Sequence, residues 1–184
     1  MPGINLAEQA HVIQILASES ISGGKTCQAF SMKNAAHATI VIGFGVQGAE
    51  PPTAIVVNQC TAASGAGATA LASFRYYYQL LGGAGNDVLN GAAQARANSN
   101  GNPPNFTSSV AGITQFPASV ANLVYIIEID SAELEAITNT VGTITEYPYL
   151  QVQITDSGNT TYASAWAVLS GFRYQNLLEA SATV

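Results

Sequence analysis

The sequence predicts an all-β fold: an antiparallel β-sandwich, of jelly-roll type, in one domain with a long loop insertion and extended termini. Three observations lead there. Short β-branched and aromatic runs recur between clusters of Gly, Pro, Asn, Asp and Ser. Helical periodicity is nearly absent, which favours sheet packed on sheet. At 184 residues and 48% hydrophobic content, the chain suits a single domain that buries about 70% of its unfolded surface without a disulfide scaffold.

The elements follow in chain order. Residues 4–16 allow two readings, a helical face of Leu6, Ala10 and Ile13, or an extended arm leading into a strand at 12–16; the arm is favoured. Residues 18–24 are turn-like. Residues 26–32 suit a strand with Cys27, Ala29 and Ser31 on one face. Residues 39–44 and 53–59 flank a segment containing Gly48, Pro51 and Pro52, and read as a β-hairpin with Ile40 and Ile42 on one face and Val41 on the other. The ribbon TAASGAGAT (61–69) is too small to build a core and suits close backbone approach or a crossing between sheets. Residues 74–79 alternate as a strand, with Phe74, Tyr76 and Tyr78 opposite in face to Arg75, Tyr77 and Gln79.

Residues 82–117 carry loop signals throughout and form one insertion, with a possible short helix at 87–97. A strand follows at 123–129, then a polar or single helical turn at 130–134 with Asp130 or Ser131 as N-cap. Residues 149–155 alternate cleanly, with Leu150, Val152 and Ile154 inward and Gln151, Gln153 and Thr155 outward. After a turn at 156–160, residues 162–169 return antiparallel carrying Trp166 and Val168. Residues 171–174 close the core. The domain thus spans 1–184, with an arm at 1–16, the insertion at 82–117 and a tail at 175–184.

Composition excludes several functions. Only 9% of residues are charged, against a usual share of about 25%. Either partner subunits cover part of the surface, or a neutral Ser/Thr/Asn/Gln surface replaces charge; the first is favoured. The net charge is −6, and the five cations, Lys25, Lys33, Arg75, Arg96 and Arg173, are scattered. Direct nucleic-acid binding needs clustered cations and is not expected. No apolar run approaches the roughly 18 residues that span a bilayer, so no membrane role is expected, and the start lacks the basic region of a signal peptide. Cys27 and Cys60 could pair across neighbouring strands, but reduced, buried thiols are the favoured reading.

Motifs for catalysis or cofactors fail on context. Gly43, Gly45 and Gly48 spell G-x-G-x-x-G after a strand, but Pro51 and Pro52 forbid the helix that would hold a pyrophosphate. The glycines suit a twist or bulge instead. SGGKT (22–26) ends like a P-loop, yet Glu19 stands where the motif needs glycine. His11 and His37 are the only histidines, and no nucleophile–base motif accompanies them. Glu128 and Asp130 share a strand face and could act as paired carboxylates or bind Ca²⁺; solvated charges with a cap are the favoured reading. Neither catalytic residues, cofactor nor metal is expected. Arg75, Tyr76, Tyr77 and Tyr78, together with Phe172, Arg173 and Tyr174, are residue types enriched at protein interfaces and are the candidate contact residues.

Four segments in order carry a resemblance: KNAAHATI (33–40), IVVNQCTAASGAGATAL (55–71), IEIDSAEL (127–134) and AVLSGFRY (167–174). Together they resemble a group of tailed-bacteriophage virion structural proteins. The insertion at 82–117 is longer than that group leads one to expect. The resemblance implies a non-enzymatic virion protein, foremost a head decoration (cement) protein. It would be a homotrimer on the outer capsid surface, made in the host cytoplasm and bound to the major capsid protein. A tail or head–tail adaptor protein, or a carbohydrate- or receptor-binding sandwich stacking ligands on Tyr76–Tyr78 and Trp166, are the alternatives.

Overall fold

The structure, a computed structural model, describes residues 10–45, 52–71, 74–80, 95–98, 112–113, 116, 123–134, 137–138, 144–145, 148–155, 158 and 161–172. Two antiparallel sheets dominate it. The larger has six strands in the order β1 (Ala10–Ser20), β13 (Tyr162–Ser170), β4 (His37–Phe44), β9 (Leu123–Asp130), β7 (Arg75–Leu80) and β8 (Ala95–Asn98). The smaller has five, in the order β2 (Lys25–Thr26), β12 (Tyr149–Thr155), β5 (Ala54–Cys60) and β6 (Thr69–Ala70), with β3 (Phe30–Ser31) also on β12. A separate pair, β10 (Ile137–Thr138) and β11 (Ile144–Thr145), forms its own small sheet. The all-β sandwich expected from sequence is therefore the architecture.

The core lies between the sheets and follows from strict alternation. In β4, Ala38, Ile40, Ile42 and Phe44 are buried while the residues between them are half-exposed. Tyr125, Ile127 and Ile129 of β9 continue that layer, and Ile55, Val57, Leu150, Val152 and Ile154 face it from the smaller sheet. Tyr125 packs edge-on against Phe44 and Phe116, with ring centroids 5.9 and 5.7 Å away. Ile113 bridges to Ile55 by two backbone hydrogen bonds. Gly112 makes this approach possible: at φ +108°, a Cβ there would sit 2.7 Å from the Ile55 carbonyl oxygen.

Two expected hairpins are instead crossings between sheets. Residues 39–44 and 53–59 do not pair: β4 lies between β13 and β9, and β5 lies between β12 and β6. Likewise β13 does not return on β12 but on β1 and β4. Of the connecting segments, residues 46–51, 156–157 and 159–160 lie outside the described residues. Two apolar strands facing each other across a core bury more surface than two lying side by side, and that decides the partner.

Other differences are local. The arm expected at 1–16 is strand from Ala10 onward, with Ile15 and Leu16 buried; residues 1–9 lie outside the described residues. The strand expected at 26–32 is broken into β2 and β3, and the break places Cys27, Phe30 and Met32 in the core. The ribbon at 61–69 joins β5 to β6 within one sheet and is not a crossing. What approaches it is a side chain and not another backbone: at Gly65, with φ +80°, a Cβ would collide with the Gln151 side-chain amide. Of the helix expected at 87–97, residues 95–97 are strand and the remainder lies outside the described residues, as does the tail at 175–184. The turn after β9 is a single 3₁₀ turn, Ser131–Glu133, with Asp130 as its N-cap.

Cys27 and Cys60 are buried thiols. Burial, and behind it the Glu19 carboxylate, pushes the Cys27 thiol up to about 12, so it stays protonated and inert at neutral pH.

Candidate functional site: the outward face of the larger sheet

Alternation that fills the core also decides what the larger sheet turns away from it. From β13 these residues are Tyr162, Ser164, Trp166, Val168 and Ser170. The register sets Val168 beside Val12 and Thr39, Trp166 beside Gln14 and Val41, and Val41 beside Ile126. The middle of this face is apolar. Val12, Tyr162 and Trp166 are 48%, 45% and 36% exposed, the large hydrophobic side chains most open to solvent among the described residues.

Between Tyr162 and Trp166 the face sinks into an open trough of about 500 Å³, lined also by Val41, Val124, Ser164, Gly43 and Gly45. The two aromatic residues are four apart on one strand, hence about 14 Å apart along it. The floor is low because Gly43 has no side chain. A Cβ there would meet Ser164 Oγ at 3.6 Å, an ordinary contact. Two of the three glycines that mimic a nucleotide motif, Gly43 and Gly45, thus line a hollow in the sheet surface; Gly48 lies outside the described residues.

A polar cluster closes one end of the same face. His37 stands opposite Asp130 in the ladder, and Thr39 opposite Glu128. His37 Nδ1 lies 2.7 Å from Asp130 Oδ1, and its Nε2 is hydrogen-bonded to Glu128 Oε2. The Thr39 hydroxyl donates to the same Glu128 oxygen at 3.0 Å. The Asp130 amide donates to Glu133 Oε2 at 2.9 Å. Burial alone would pull the His37 imidazolium pKa down, but the hydrogen bonds to Asp130 and Glu128 and their two charges outweigh it, and the net shift is upward.

Glu128 and Asp130 therefore share a face as the sequence indicates, but they grip opposite nitrogens of one ring and do not converge on a point where an ion would sit. Among the described residues no group of three His, Cys, Asp or Glu side chains has the arrangement of a metal site.

The candidate contact residues divide. Arg75 and Tyr77 occupy register positions opposite Glu128 and Ile126 of the outward set, whereas Tyr76 and Tyr78 stand opposite Ile127 and Tyr125 of the inward set. Phe172 is half-buried and packs against the core, and Arg173 and Tyr174 lie outside the described residues. Sequence reasoning missed Val12, Val41, Val124, Ile126 and Tyr162 as surface residues, and His37 as the partner of both carboxylates. The available signal was the run of alanines at 163, 165 and 167, which marks a small-residue face on β13 and leaves Trp166 on the other.

Among the described residues, no helix is long and apolar enough to cross a membrane. Neither a scan against protein-family models nor a search of curated proteins found a match.

Proposed function

We propose that this chain is a non-enzymatic virion protein, a capsid decoration protein that binds the outer surface of the head shell through the outward face of its larger sheet. The observation that carries this is the apolar trough between Trp166 and Tyr162. A sheet face with such a centre matches the anatomy of an interface, apolar and aromatic in the middle and polar at the rim. The charge-poor composition supports the same reading. So does the strand order. We read the alternation of β1, β2/β3, β4, β5/β6, β9, β12 and β13 between sheets as a jelly roll, a fold used by viral capsid and lectin domains. Fold alone does not carry function; the resemblance to phage virion proteins supplies the class. The partner is the major capsid protein, and the assembled unit is a homotrimer.

The test is co-sedimentation of purified protein with shells that lack it. Trp166→Ala is expected to weaken binding about 30-fold or more, the loss of a central aromatic anchor worth roughly 2 kcal/mol, with unfolding curves used to select conditions where the variant is folded. Unchanged binding removes the docking face. A chain that is monomeric by light scattering and absent from virions by mass spectrometry removes the decoration role, and a dozen or fewer copies per particle assigns it to the tail or connector. The aromatic trough favours one second reading, a glycan-binding face stacking sugars on Trp166 and Tyr162; a glycan array without hits eliminates it.

A further inference from the structure

His37 touches a carboxylate at each ring nitrogen. A neutral imidazole carries hydrogen on one nitrogen only, so its other nitrogen would set a lone pair against a carboxylate oxygen. Imidazolium donates at both. Glu128 and Asp130 are in turn held in place, the first by the Thr39 hydroxyl. The second sits at the cap of the 3₁₀ turn, where its own amide donates to Glu133.

We infer that His37, Glu128 and Asp130 form a proton-operated clasp, which adds a side-chain tie between the start of β4 and the end of β9 and its following turn while the ring is doubly protonated, and loses that tie when it is not. The charged groups around it come from several elements. Strand β9 supplies Glu128 and Asp130, and the turn supplies Glu133. Lys33 lies in the loop that leads into β4. Arg75 of β7 stands opposite Glu128 in the ladder. Ser170 of β13, opposite His37, brings no charge. Loss of the proton also makes the rim of the outward face one unit more negative, so the clasp sets the charge beside the trough. The inference concerns the isolated chain and does not rest on the docking proposal.

The direction of the pH effect follows from the protonation states. The ring gains partners on folding, so its folded midpoint lies above the unfolded value of about 6.5. The clasp then contributes fully below about pH 6.5 and is lost as pH rises through the folded midpoint.

The experiment is an NMR titration of the imidazole nitrogens in the wild-type chain, assigned with His37→Gln, together with thermal unfolding of both proteins from pH 5.5 to 9. Two results are expected. His37 carries hydrogen on both nitrogens at pH 6.5, with a midpoint above that of the chain unfolded in denaturant. The gap in unfolding temperature between wild type and His37→Gln closes as pH rises. Asp130→Asn and Glu128→Gln should each shift the midpoint down. A singly protonated ring at pH 6.5, a midpoint at or below the unfolded value, or a gap independent of pH overturns the clasp. If His37→Gln does not fold, the wild-type titration and Asp130→Asn, at an exposed carboxylate, decide alone.

Discussion

β12 and β13 are neighbouring strands in the chain, yet they use the same alternation in opposite ways. β12 buries Leu150, Val152 and Ile154 and turns Gln151, Gln153 and Thr155 outward. β13 buries Ala163, Ala165, Ala167 and Leu169 and turns Tyr162, Trp166 and Val168 outward. The first strand is completed by folding. The second places its small side chains in the core and its largest on the surface. These alanines share one core with the leucine and isoleucine side chains of the smaller sheet. An aromatic side chain left partly in water, by contrast, forgoes some of the roughly 1.5–3 kcal/mol that full burial brings. What β13 shows outside is the surface that the proposed contact would cover.

Two substitutions probe the inward halves of this comparison. Leu150→Ala has the largest expected effect. Its side chain is fully buried, and removal leaves a cavity costing about 2–5 kcal/mol, read as a lower midpoint in urea unfolding. Ala165→Leu should be next. Position 165 is also fully buried and stands beside Ile42 in the ladder, so added methylenes overpack the centre and cost about 1–3 kcal/mol. If Ala165→Leu instead stabilises the chain, the alanine row faces empty space, and the contrast with β12 is one of poor packing.

The two strands also show why sequence reading succeeds on one and stops short on the other. In YLQVQIT, polar residues mark the outward face, so period two carries a phase. In YASAWAVLS both faces are apolar or small, and alternation alone leaves the phase open. Choice of partner strand is harder still. Gly48, Pro51 and Pro52 announce that the chain reverses after β4, but they carry no information about which sheet receives β5. That is settled by the core as a whole, to which both strands contribute apolar faces. The clasp was half legible. Glu128 and Asp130 share a face by spacing alone, whereas His37 meets them only because β4 pairs with β9 in one register, a relation between segments some ninety residues apart. The trough was concealed by its own glycines, which resemble a phosphate loop until Pro51 and Pro52 are weighed.

The smallest effect on folding is the one that separates folding from contact. Gly43→Val introduces a side chain into the trough from its floor. The position is the penultimate residue of β4, and the nearest atom to a new Cβ is Ser164 Oγ at 3.6 Å, an ordinary contact. A glycine inside a strand costs about 0.5–1 kcal/mol relative to alanine through backbone entropy, and valine suits a strand better than either. The variant should therefore unfold at a slightly higher urea concentration than wild type, by an amount matching about 0.5–1 kcal/mol. In co-sedimentation with shells it should nonetheless bind poorly, because the trough is filled. A variant more stable and less able to bind can owe its defect only to the surface. If Gly43→Val binds as well as wild type, the trough is not the seat of contact, and the outward bulk of β13 needs another explanation.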